Sequence, residues 1–157
     1  MTTTKSTSPK TILCPVDFSP SSDQALLHVA ERYAHDAVLI VLHVGNQNAG
    51  DRGVLLKEHL HHFSRFSDLL SAYRCNLRFA MEYGLPAEVI VEYARKQAVD
   101  LIVLGSHGES NISRLLVGST AEAVMRQAPC QVLVLKSPQP LAGIGQPSLA
   151  VLSNTND

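Results

Sequence analysis

The chain has no apolar stretch near the roughly 20 residues that a bilayer-crossing helix requires, so no membrane span is expected. Its first ten residues, M-T-T-T-K-S-T-S-P-K, are polar and lack the hydrophobic segment of a secretory signal. Basic blocks and stripes are missing too. The net charge is −1, without the electrostatic footprint of a nucleic-acid binder. Cysteine is scarce: Cys14, Cys75 and Cys130 are odd in number, widely spaced and never C-x-x-C. They read as unpaired, buried thiols of a reducing compartment, which points to the cytoplasm. No internal repeat is evident, and no G-x-x-x-x-G-K-[ST] loop is present, which speaks against rapid phosphoryl transfer of the P-loop kind.

With 157 residues, 45% apolar and 17% charged, the chain is long and apolar enough for one domain with a sizeable core. Thr11 to Val16 is a short apolar run, broken by Asp17-Phe18-Ser19-Pro20. Ser19 and Pro20 suit the cap and first position of a helix whose apolar face is Leu26, Val29, Ala30 and Tyr33. Val38 to Val44 is apolar nearly throughout and β-branched, as a strand covered on both faces should be. After the turn-forming residues 45–53, a second helix is predicted over Val54 to Tyr73, with Leu56, Leu60, Phe63 and Leu70 as its apolar period. Leu77 to Tyr83 alternates and reads as a strand near an edge. Gly84-Leu85-Pro86 leads into a third helix facing inward through Val89, Ile90, Tyr93 and Ala94.

The stretch from residue 98 to 128 carries the chemistry. A buried strand, Leu101 to Leu104, stops at Gly105; a loop follows in which Gly105, Gly108 and Gly118 are separated by two and then nine residues. Ser119 and Thr120 then open a fourth helix with Ala121, Val124, Met125 and Ala128 inside, Pro129 stops it, and Gln131 to Lys136 forms a fifth strand. Five strands alternating with four helices predict an α/β fold: an open five-stranded parallel sheet, Rossmann-like, with helices on both faces. Residues 1–10 read as a flexible leader, 11–136 as the domain and 137–157, rich in Pro, Gly, Ser and Asn, as a low-order tail.

Ligands of such sheets bind beyond the carboxyl ends of the strands, where the strand order reverses. Asp17 follows the first strand and Gly105 the fourth; if those strands are neighbours, both line that crevice. Glycine lets bare peptide N–H groups approach a phosphate, and a helix beginning at Ser119 adds partial positive charge. Val16 and Val44 could sandwich a flat base while Asp17 accepts from ribose or a base amine. Each has a plainer alternative. Asp17 could only close an Asx turn, the glycines could be turn and packing residues, and Ser119 with Glu122 fits an S-x-x-E capping box. His107 in the loop is read as a backbone-bonding residue rather than an acid or base. His59, His61 and His62 beside Glu58 are read as surface histidines on a solvated face, too few for a zinc site.

The motif Gly105-x-x-Gly108, nine residues, Gly118-Ser119 resembles that of the universal stress protein family, specifically its ATP-binding branch. T-I-L-C-P-V-D-F-S, L-H-V, Y-G-L-P-A-E and Q-V-L-V-L-K also match that family's layout, over Thr11 to Lys136. The resemblance implies strand order 3-2-1-4-5. It also implies that Pro15, Val16, Asp17 and Val44 contact adenine and ribose. Leu104, Gly105, Gly108, Gly118, Ser119 and Thr120 would hold the phosphates of ATP, with Mg2+ or Mn2+ as accompanying ion. It further implies a homodimer through the fifth strand, which agrees with an edge free of internal charge or proline. The expected role is nucleotide-dependent regulation in the stress response; the alternatives are slow ATP hydrolysis, with Arg114 as charge support, or a nucleotide serving stability alone.

Overall fold

In a computed structural model the chain is described over residues 8–33, 35–46, 50, 52–106 and 118–136. Its first strand, β1 (Thr11–Val16), is buried from Ile12 onward, because it pairs with a strand on each side. The chain continues through α1 (Pro20–Tyr33), β2 (Val38–Gly45), α2 (Arg52–Leu70), a single 3-10 turn (Ser71–Tyr73) and β3 (Asn76–Tyr83). It is completed by α3 (Pro86–Lys96), β4 (Leu101–Gly105), α4 (Ser119–Gln127) and β5 (Gln131–Leu135). All strand pairs are parallel and the order is β3-β2-β1-β4-β5, as expected. The order therefore reverses between β1 and β4, and the carboxyl ends of those two strands part there.

Alternation along the strands divides the interior into two layers. Ile12, Cys14, Val16, Leu39, Val41 and Val103 pack with α1 and α2. Leu13, Ile40, Leu42, Ile102, Leu104 and Val134 pack with α3 and α4. The three cysteines are free thiols. Cys14 is fully buried, which pushes its pKa up to about 12, whereas Cys75 and Cys130 are only half-buried rather than wholly inside. At the amino ends of the strands, the Asp100 carboxylate accepts from the backbone N–H groups of Lys10 and Thr11 at 2.9 and 3.0 Å.

α2 departs from expectation. It ends at Leu70, and its buried line is His59, Phe63, Phe66 and Leu70, spaced i, i+4, i+7, i+11. Leu56 and Leu60, expected inside, are 47% and 57% exposed. The helix is rotated because Phe18, whose φ of 65° lies in the left-handed region, sets its ring on that layer and gives His59 and Phe63 aromatic partners. Of these three histidines His59 is therefore buried and His62 half-buried; only His61 is exposed.

The other close constraint is at Gly105. A Cβ there would lie 2.3 Å from Ser21 Oγ and 2.8 Å from the Ser21 carbonyl oxygen, so the first turn of α1 rests on the bare end of β4. Gly105→Ala should accordingly cost about 1–3 kcal/mol through overpacking. Urea denaturation checks this; an unchanged midpoint would mean that α1 does not sit so close.

Candidate functional site

Where β1 and β4 part, a cavity of about 700 Å3 opens at the carboxyl ends of the strands. That is the size of an ordinary small-molecule site. Pro15, Val16 and Asp17 line it from the end of β1, Val44 from β2, and Leu104 and Gly105 from β4. Gly118, Ser119 and Thr120 line it from the start of α4. The structure thus gathers nine of the ten residues singled out above around one hollow. The tenth, Gly108, lies outside the described residues, as do His107 and Arg114.

Local chemistry explains each wall. Pro15, Leu42, Val44, Ile90 and Ala121 make an apolar flank on the α3–α4 side, suited to the face of a planar ring. Asp17 turns the chain from β1 into α1: its Oδ1 accepts from the Ser19 N–H at 3.0 Å, an Asx turn, while the side chain also borders the cavity. The turn and the cavity-lining position coexist. Ser19 in turn caps α1 by accepting from the Ser22 N–H at 3.3 Å. α4 is different. Its cap residue is Gly118, which has no side chain to bond the first N–H groups, and Ser119 is already inside the helix. The S-x-x-E capping box does not form, and Glu122 pairs with Arg126 instead. The first turn of α4 thus brings backbone donors without a side-chain cap to the cavity rim, together with the positive end of the helix dipole.

The universal stress protein profile matches residues 9–136. The chain belongs to the universal stress protein family. A universal stress protein of Methanocaldococcus jannaschii is 33% identical over 142 residues, covering 83% of this chain and 84% of the relative. The solved structure of a second universal stress protein of that archaeon superposes with a TM-score of 0.73 at 29% identity, covering 83% of this chain and 97% of that one. A universal stress protein solved in complex with cAMP shares the fold with a TM-score of 0.65, at 24% identity, covering 82% of this chain and 97% of that one.

Sequence reasoning missed the α1–α2 flank of the cavity, where His43 and His59 stand with Leu55 and Ser22. His43 donates its Nδ1–H to the Val16 carbonyl at 2.9 Å, which ties β2 to the end of β1. Its ring stacks on Phe18 at 4.4 Å between centroids and lies 4.6 Å from that of His59. His62 stacks on Phe18 at 4.0 Å. The signal was present in the 59-63-66-70 spacing, which competes with 56-60-63-70 for the same helix. Among the described residues no group of three or more His, Cys, Asp or Glu side chains is arranged to hold a metal ion. No helix among them is long and apolar enough to cross a membrane.

Burial, and then the neighbouring His43, push the pKa of His59 below its ordinary 6.5. Burial followed by Arg65 does the same to His62. Both groups bind protons more readily in the unfolded chain, so the stability they contribute is present above pH 6.5 and is lost as pH falls through their folded values. The urea midpoint should therefore decline on acidification from neutrality to about pH 5.5, and less in a His62→Gln variant. A midpoint indifferent to pH over that window would mean the imidazoles are not desolvated.

Proposed function

We propose that the cavity binds an adenine nucleotide, ATP foremost, and that occupancy serves a regulatory role in the stress response. The observation that carries this is the meeting, in one hollow, of an apolar flank, the Asp17 carboxylate and the start of α4, whose cap residue Gly118 offers no side chain to the first N–H groups. The base would lie between the apolar flank and the opposite wall, and Asp17 would accept from ribose or the exocyclic amine. The phosphates would sit against Gly105, Gly118, Ser119 and Thr120, with Gly108 completing the cradle. Backbone N–H groups at a helix start favour a polyanion. The complex of a structural relative with cAMP supports the same ligand class. A divalent ion, Mg2+ or Mn2+, would ride on the phosphates, since the described side chains supply no cluster for it. Binding rather than turnover is the function proposed. Free thiols at all three cysteines suit the cytoplasm as its setting.

Calorimetry with ATP tests the reading, and Gly118→Val sharpens it. Gly118 has φ −62° and ψ 155°, a conformation valine adopts readily. A loss of affinity would therefore report on the ligand rather than on backbone strain. The variant should bind more weakly by about 1 kcal/mol or more, through steric exclusion and lost hydrogen bonds. Unaltered affinity would take α4 out of the site.

We further propose that two copies associate through β5, the edge strand next to β4. It carries no charge or proline within Gln131–Leu135, so its sequence has none of the devices that bar a second strand. Sedimentation equilibrium should then give a mass near twice the 17.0 kDa of one chain. A monomer at micromolar concentration would dismiss the arrangement.

A further inference from the structure

The first half of α2 is held to the molecule in an unusual way. Between residues 53 and 62, His59 is the one buried side chain; Leu55 and His62 are half-buried and the rest are exposed. The apolar anchors Phe63, Phe66 and Leu70 all lie in the second half. Yet Leu55 and His59 are part of the wall of the cavity. The wall is therefore packed firmly through its second half, while in its first half the one buried side chain is an imidazole.

That fastening is a stack. His59 lies 5.8 Å from the Phe18 ring and 4.6 Å from His43 on β2, between centroids. Its Nδ1, like that of His62, is buried without a hydrogen-bond partner. A neutral imidazole tolerates this by keeping its proton on the other nitrogen. An imidazolium has two N–H donors, and one of them would find no acceptor.

We propose that His59 is a latch on the nucleotide pocket: neutral, it holds the first half of α2 closed as the pocket's outer wall, and on taking up a proton it lets that wall swing away, so nucleotide affinity falls in mild acid. This rests on the nucleotide reading of the cavity and adds a control to it. The surrounding charges set the balance. His43 on β2 opposes a proton on His59, and Glu58 on α2 favours it. At His62 the neighbours Arg65 and His61 on α2 oppose a proton, whereas Asp23 on α1 favours it. Asp17 borders the same cavity. Burial of the stack, which comes first among these influences, keeps the closed form neutral. Leaving the stack for water is the route by which a protonated His59 relieves both the burial and the orphaned donor.

Two measurements test the latch, each at about pH 7.5 and about pH 5.8, on either side of the ordinary histidine value. The first is amide exchange of the nucleotide-free protein, corrected for the intrinsic effect of pH. Residues 53–62 should lose protection at the lower pH while α3 keeps its own. The second is ATP affinity of the unsubstituted chain and of His59→Phe, whose ring can stack but cannot be protonated. Titration of the terminal phosphate of ATP affects both proteins alike, so their ratio isolates the imidazole. The unsubstituted chain should lose severalfold more affinity than the variant on passing to the lower pH, because only its wall gains a proton on opening. Equal pH dependence in the two proteins, or protection of 53–62 that ignores pH, would overturn the latch. If ATP binds at neither pH, the nucleotide reading falls, and the exchange experiment still decides whether the wall opens.

Discussion

The contact of α1 with the end of β4 governs the rest of the molecule. Ser21 presses so closely on Gly105 that any side chain there would collide with it. That contact spans the place where the strand order reverses, and so the hollow is roofed on one side by the first turn of α1 and on the other by the start of α4. Close packing does not yield to such an intrusion without moving whole elements. The glycine often explained by its nearness to a ligand is required here first by the protein itself. A single small residue thus serves both the packing of a helix and the shape of a cavity.

Much of this architecture was legible in the chain. Strands buried on both faces read as unbroken apolar runs, and β1, β2 and β4 have that form. The amphipathic periods of α1 and α4 mark their inner faces, whereas α3 is turned so that Val91, and not Val89, joins Ile90 and Ala94 in the core. Pro86 and Pro129 punctuate the chain where helices begin and end. The strand order itself came from resemblance, since local patterns cannot tell which parallel neighbours pair. Asp17 and Ser119 were each left with two readings. The Asx turn at Asp17 occurs alongside its place at the cavity, and the capping box at Ser119 does not occur at all.

α2 was hidden for a physical reason. Leucines at 56 and 60 outrank histidines at 59 and 62 on any hydrophobic scale, and both sets fit a helical period. What decides between them is a tertiary partner, the Phe18 ring, brought over that layer by a backbone turn in the left-handed region. Such a conformation is uncommon for a bulky residue and costs energy that the surrounding packing must offset. A flat aromatic platform accepts neutral imidazoles well, and so polar residues displaced aliphatic ones from the interior. The outward leucines are the counterpart of that exchange.

The Asp100 carboxylate gathers the N–H groups of Lys10 and Thr11 at the amino ends of the strands, the end remote from the cavity. Lys136, by contrast, follows the carboxyl end of β5, on the same side as the hollow. With every strand running the same way, the two ends of the domain emerge at opposite poles. An immobilising tag or fluorophore joined ahead of Lys10 would therefore stand clear of the pocket mouth, whereas cargo attached at Lys136 would hang beside it.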